Sequence, residues 1–334
     1  MPIGSSGALS LSDIQTEFGG SNPISLSEYY AGGSNVPSGI SGDNGAIPSS
    51  GAIDISDFYG SAKSVDIALT ISGTTQNYNI YANRGGTYVA GISNIVLTVN
   101  AIVGSASSGQ YAIDTGNQWA SGDTLKIINN NQIVGCGGAG GTGAAGQMNG
   151  AASTAGGNGA AGGSAINLGF DTTIQNNGGF IRGAGGGGGG SSNASFATSM
   201  KSGSTFQSLS GAGGGGGAGQ NGGAGGSAGA TGSAGGQNLA GNGGQAGSIS
   251  GAGSGGGAST VMSTASNGGG GQGGGFGAAG QNGGVGQANT DSGGKSNAAS
   301  GSGGTGGAAG KAINLGGNSL TWEDGNSNVQ GAVS

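Results

Sequence analysis

The residues able to do chemistry are few, and their spacing does not favour it. The 334-residue chain contains no histidine and a single cysteine, Cys136. That removes the commonest general base and any paired-thiolate metal site. Asp114 and Asp123, or Glu323 and Asp324, could pair as carboxylates, but turn and hairpin-tip positions account for them. The stretch "SGGKS" (292–296) resembles the end of a phosphate-binding loop, yet Asn289 stands where that loop needs its first glycine. Matches to GxGxxG arise by chance in so glycine-rich a chain. No catalytic residue, metal ligand or cofactor is assigned, and the chain does not read as an enzyme. Cys136 reads as a small apolar filler.

Side chains suited to binding gather where the glycine stops. "SSNASFATSMKSGSTFQSLS" (191–210) brings Asn193, Phe196, Met200, Lys201 and Phe206. "ASTVMSTASN" (258–267) brings Val261 and Met262, and "QANTDSGGKSNAAS" (287–300) brings Asn289, Asp291, Lys295 and Asn297. Loops held on a stiff scaffold are the usual place for recognition, and exposed Phe and Met are the expected anchors. These residues are the candidate contacts with a partner. The competing reading is that the loops only cap the scaffold.

That scaffold is glycine. Residues 135–311 hold 68 of the 91 glycines and only six charged residues. Between 211 and 256, thirteen of sixteen positions at every third residue are Gly, and the period recurs over 268–286 and 301–310. A three-residue period suits the extended left-handed helix with about 3.1 Å rise per residue. All four prolines lie outside the tract, which excludes collagen and leaves the N–H groups free to donate. The expected object is a bundle of polyglycine type II helices bonded main chain to main chain. Ordering a residue costs roughly 1–2 kcal/mol and a hydrogen bond returns only about 1, so a conventional core must template the bundle.

Residues 63–135 read as that template, a small antiparallel β domain of short strands. "DTLKIINNNQIVGCG" (123–137) is echoed at 171–185 and 320–334, the latter two preceded by "SAINLG" and "KAINLG". The echoes read as β-hairpins, at 164–183 and 312–334, stitching the glycine tract to the sheet. Phe180 and Trp322 are expected to face the core. The fold class is therefore mainly β and irregular. It runs as an N-terminal segment (1–62), the antiparallel domain (63–135), the glycine-rich bundle (136–311) and a C-terminal hairpin (312–334).

Residues 1–62 repeat a pattern in which an apolar strand precedes a Ser-acidic-aromatic step. Ser12 with Gln15 predicts a capped helix over about 12–18. Ile14, Phe18, Tyr29, Tyr30, Phe58 and Tyr59 are the candidate docking residues of this segment. A formal net charge of -6 without a basic patch argues against nucleic acid or anionic lipid as a partner. Neither a secretion signal nor an apolar run of membrane-spanning length is present in the sequence.

Two sets of motifs carry a resemblance. "ALSLSDIQTEFG" and "PSSGAIDISDFYG" are similar to motifs near the N-termini of tailed-bacteriophage structural proteins. "DTLKIINNNQIVGCGGAGG", "IQNNGGFIRGAGGGGGG" and "AINLGGNSLTWEDGNSNVQGAVS" resemble the glycine-rich receptor-binding adhesins at phage tail-fibre tips. The resemblance implies a virion protein of the tail or tail fibre. Other tail proteins would be bound through residues 1–62, and a host outer-surface protein or glycan through the loops, with a trimer as the expected oligomer. The alternative is a purely structural virion component.

Overall fold

The computed structural model describes residues 2–146, 154–200, 203–230, 241–258, 260–262, 265–266, 268–288, 299–324 and 326–334. The chain divides into two compact units, residues 1–69, 81–97 and 117–126 in the first, and 70–80, 98–116 and 127–334 in the second.

In the first unit, three copies of one short pattern make the core. Ser10-Leu-Ser-Asp-Ile14 opens helix α1 (Leu11–Phe18), while Ser25-Leu-Ser-Glu-Tyr29 and Asp54-Ile-Ser-Asp-Phe58 form single 3-10 turns over Leu26–Tyr29 and Ile55–Phe58. Ser10 and Asp54 close reciprocal capping boxes with Asp13 and Asp57, satisfying N–H groups left free at a helix start. The predicted helix is present, but its cap is Ser10, two residues earlier than Ser12. The last residue of each copy (Ile14, Tyr29, Phe58) is fully buried, together with Phe18, Val36 and Ile40. Phe58 meets Phe18 and Tyr29 edge-on, at 5.9 and 6.3 Å between ring centroids. A short hairpin of β1 (Ser41–Gly42) and β2 (Gly45–Ala46) completes this part.

Elsewhere in the unit, buried Asp123 accepts four hydrogen bonds, from Tyr88 Oη (2.7 Å) and the N–H groups of Gly91, Ser93 and Ala120. Burial and the neighbouring Asp123 carboxylate push the Tyr88 phenol up to about 12. Trp119 packs edge-on against both Tyr81 and Tyr88.

The strands that follow wind in rungs. They are β3 (Val65–Ile71), β4 (Thr75–Gln76) and β5 (Tyr78–Asn79), then β6 (Ser93–Val99), β7 (Val103–Gly104) and β8 (Ile113–Asp114), then β9 (Thr124–Asn129), β10 (Gln132–Val134) and β11 (Ile166–Asn167). The next rung has β12 (Thr172–Gln175) and β13 (Phe180–Arg182). Six short strands, β14 (Ala194–Met200), β15 (Gly203–Leu209), β16 (Thr260–Met262), β17 (Ala265–Ser266), β18 (Gln287–Ala288) and β19 (Ala299–Ser300), precede its third member, β20 (Ile313–Asn314). The last rung has β21 (Leu320–Trp322) and β22 (Val329–Gln330). The ladder orders are β21-β12-β9-β6-β3, β22-β13-β10-β7-β4 and β20-β11-β8-β5.

The pairings within the second and third ladders, and that of β12 with β21, are parallel. The expected antiparallel domain and stitching hairpins are therefore replaced by a parallel β-solenoid. Its echoes lie in register instead of folding back on themselves, because like residues stack. Val103, Ile133 and Ile181 form one buried column, and Ile113, Ile166 and Ile313 another. On the opposite face Asn79 and Asn167 both donate to Asp114, Asn314 donates to Asn167, and Lys311 Nζ closes the ladder on Asn314 at 2.8 Å. The "AINLG" echo thus encodes one core isoleucine and one ladder asparagine per rung. Phe180 is half-buried beneath the Arg182 guanidinium, 3.9 Å from its ring centroid, while Ile181 takes the core place. Trp322 lies in register with buried Ile174 and is itself half-buried.

Two excursions leave the solenoid at the same corner, between β10 and β11 and between β13 and β20. Among the described residues they form ten extended stretches, 135–146, 154–164, 183–193, 210–220, 222–230, 241–248, 252–258, 268–275, 278–286 and 301–311. Main-chain bonds join them. Gly185 and Gly188 donate to the 210–220 stretch, Gly186 and Gly189 to 278–286, and Gly187 and Gly190 to 154–164. The same stretch accepts from 135–146, 268–275 and 301–311. The 210–220 stretch is likewise surrounded on six sides. Hence the unbroken glycine runs 185–190 and 213–217, where every residue faces a neighbour. Outer stretches such as 301–311 donate main chain to main chain at every third residue, Gly304, Gly307 and Gly310, which is the sequence period.

A Cβ on Gly188 would overlap the carbonyl of Gly271, whereas one on exposed Gly275 would meet nothing within 4 Å. Gly188→Ala is expected to cost at least about 2–3 kcal/mol through overpacking. Gly275→Ala is expected to be neutral or to add about 0.4–1 kcal/mol through the unfolded chain. Thermal unfolding of both variants checks the contrast. In Tyr88→Phe, losing the hydrogen bond to Asp123 is expected to cost about 1–2 kcal/mol. The folded Tyr88 pKa of about 12 lies above the ordinary tyrosine value of about 10. Its contribution is therefore complete below about pH 10 and lost as pH rises through 12. A series of unfolding curves from pH 8 to 12 should show that alkaline loss in the wild type and a smaller one in Tyr88→Phe.

Candidate functional site

Because the stretches alternate outward and back, their connections fall at two ends of the bundle. Near the solenoid they are tight: a bend at 219–221, a turn at 249–250 and another at 276–277. On the other side the described stretches end next to 194–209, 258–267 and 287–300, the three non-glycine interruptions marked by sequence.

The structure brings those three together. Strands β14 and β15 make an antiparallel hairpin from Ala194↔Leu209 to Met200↔Gly203. Strand β14 also pairs with β19 through Ala194↔Ser300 and Ser195↔Ala299. In the second sheet β17 pairs with both β16 and β18. The 287–300 segment therefore enters through one sheet and leaves through the other, and β14 packs against β17 and β18. Phe196, Met200 and Phe206 lie on the first sheet, and Val261 and Met262 on the second. Lys201, Asn289, Asp291, Lys295 and Asn297 lie outside the described residues.

Asn193 is placed differently from the surface contact expected of it. It is fully buried, donating through Nδ2 to Ala145 O at 2.9 Å and accepting from Thr154 N–H at 2.9 Å. Three buried serines join it. Ser191 Oγ accepts from Ala212 N–H, Ser192 Oγ from Gly286 N–H and Ser210 Oγ from Gly241 N–H. This polar collar sits where the glycine lattice ends, and it ties together the stretch ends at Ala145, Thr154, Ala212, Gly241 and Gly286. Sequence reading placed Asn193 among contact residues because it saw the interruption but not its base. The available signal was "SSN" directly after six glycines: short polar side chains that replace a neighbouring main-chain acceptor.

The docking candidates of the first unit are also relocated. Ile14, Phe18, Tyr29 and Phe58 are fully or almost fully buried, so they hold the unit together and cannot themselves meet a partner. Tyr30 and Tyr59 are half-buried, with hydroxyls donated to Gly51 O and Gly7 O.

The carboxylates and the thiol singled out by sequence lie apart. Asp114 is held in the asparagine ladder and Asp123 in its own cage of donors, while Glu323 and Asp324 are exposed. Cys136 is buried, its thiol donating to Asn221 O at 3.2 Å, and burial pushes its pKa up. Among the described residues, no group of three or more His, Cys, Asp or Glu could hold a metal, and no helix is long and apolar enough to cross a membrane.

No curated protein sequence matches the chain. Among solved structures, the gp37-gp38 adhesin tip complex of the bacteriophage S16 long tail fiber is similar at 20% identity and a TM-score of 0.41. The alignment covers 99% of this chain and 100% of that one, a likeness too distant to carry an argument. The sequence profile described as phage tail fibre adhesin Gp38 matches residues 66–334. That span takes in every rung, every glycine stretch and every far-end connection, and it places the protein in the Gp38 family of phage tail-fibre adhesins, which act at the host surface.

Proposed function

We propose that the adhesin contacts its receptor, a host outer-surface protein or glycan, through the strand-bearing connections at the far end of the glycine bundle. The observation that carries this reading is the convergence of 194–209, 259–267 and 287–300 into two packed sheets on one polar collar. Such an arrangement fixes varied side chains on a rigid base, which lowers the ordering cost of binding. The stretches beneath act as polyglycine type II helices, consistent with the period of three and the main-chain N–H···O=C bonds between stretches. Residues 1–62 dock the chain on other tail proteins, the rungs from 63–135 template the bundle at 136–311, and residues 312–334 close the solenoid.

A full-length variant with 195–208 and 259–267 each shortened to Gly-Ser turns keeps the collar residues and the stretches. It is expected to retain the wild-type unfolding temperature and to lose at least about 100-fold in adsorption to host cells, as removal of central anchors does. Undiminished adsorption by the folded variant would place the receptor contact elsewhere and favour a purely structural role for these loops.

A further inference from the structure

The family match begins at residue 66 and leaves residues 1–62 outside it. Residues 1–62 contain six acidic residues (Asp13, Glu17, Glu28, Asp43, Asp54 and Asp57) and no lysine or arginine. The remaining seven acidic and seven basic residues cancel. The whole formal charge of -6 therefore resides in this segment, and Asp13, Glu28, Asp43 and Asp54 are exposed.

An open groove lies on the same segment. It encloses about 280 Å³ between residues 2–9, helix α1 and Tyr59, lined by Ile3, Ala8, Leu9, Thr16 and Tyr59, with Asp13 at its edge. Ile3 is the buried floor, Leu9 is half-buried and Ala8 is exposed. The walls are fixed rather than loose. Tyr59 Oη donates to Gly7 O at 2.6 Å, and Ile3 N–H donates to Ser61 O at 2.9 Å. Asp13 is held by Ser10 N–H and Oγ, which keeps its carboxyl below the usual range and therefore ionised. An apolar floor with an ionised lip, on a segment with no lysine or arginine of its own and with Lys63 held at the C-terminal end of helix α1, its Nζ donating to Phe18 O at 3.0 Å, is complementary to a segment carrying Lys or Arg beside small aliphatic side chains.

We infer that this groove is the seat by which residues 1–62 hold another virion protein, and that the occupant is a basic segment with a short apolar anchor. The inference deepens, and rests on, the virion docking proposed above. Long-range attraction between an acidic surface and a basic segment is screened within about 10 Å at 0.1 M salt. Docking therefore weakens with ionic strength.

The test uses phage particles lacking this protein, incubated with the purified full-length chain and pelleted, at about 0.05 and 0.5 M NaCl, salt levels that bracket the screening range. Ala8→Trp fills the groove. Thr16→Lys places a like charge at its rim, at an exposed helical position where lysine is a good helix former. Wild type is expected to be retained, less so at high salt. Each variant, with wild-type unfolding temperature, is expected to lose about tenfold or more in retention, the scale of one disrupted interface anchor. Folded variants retained like wild type, with adsorption to host cells intact, would overturn the groove as the seat and leave virion docking standing. If wild type itself fails to join the particles, virion docking by residues 1–62 falls and the groove with it.

Discussion

The glycine-rich unit depends on one constraint: each buried main-chain N–H must find an acceptor, and only a missing Cβ lets the acceptor be another main chain at this closeness. A helix satisfies its N–H groups within itself, and a sheet satisfies them on two sides. The 183–193 stretch has six neighbours, donating to three and accepting from three. Such a lattice has no room for side chains along its interior, so the protein spends its apolar residues elsewhere. The cohesion is directional and polar, and its specificity comes from register. A one-residue slip would turn bare faces away and side chains inward, much as a slip in a sheet does.

The lattice does not stand alone. Net hydrogen-bond stabilisation falls short of the ordering cost of glycine, and the aliphatic columns of the solenoid make up the difference by fixing where each excursion starts and ends. The stretches 135–146 and 154–164 hang between β10 and β11, and those from 183 to 311 hang between β13 and β20. The asparagine ladder fixes the same rungs from outside, with Lys311, the last residue before the final return, as its terminal donor.

Much of this was legible in the sequence, and the parts that were not share one cause. Composition and the three-residue period pointed to main-chain bonding between extended stretches, and the interruptions pointed to the connections. The echoes "DTLKIINNNQIVG", "DTTIQNNGGFIRG" and "AINLG" were visible as repeats, yet they read as hairpins. An Asn-Gly pair between short strands signals a tight turn equally well at a solenoid corner. Parallel stacking is set by which residues meet across more than a hundred intervening positions, as Ile166 and Ile313 do, and local patterning does not carry that. The aromatic residues of 1–62 were noticed for their repetition, but whether a repeated Tyr or Phe points inward depends on three copies closing on one another. The runs 185–190 and 213–217 held a further signal. Where glycine loses its period and becomes continuous, the stretch is surrounded.

The common corner of departure imposes a parity on how such a protein can vary. A chain that leaves the solenoid must come back to it, so stretches are gained or lost two at a time, and each pair carries one far-end connection with it. Far-end connections are thus added as whole units, at the periphery, without re-registering a single rung. Growth by one stretch would strand the chain at the wrong end. The ten stretches among the described residues are one state of a count that can change only in steps of two.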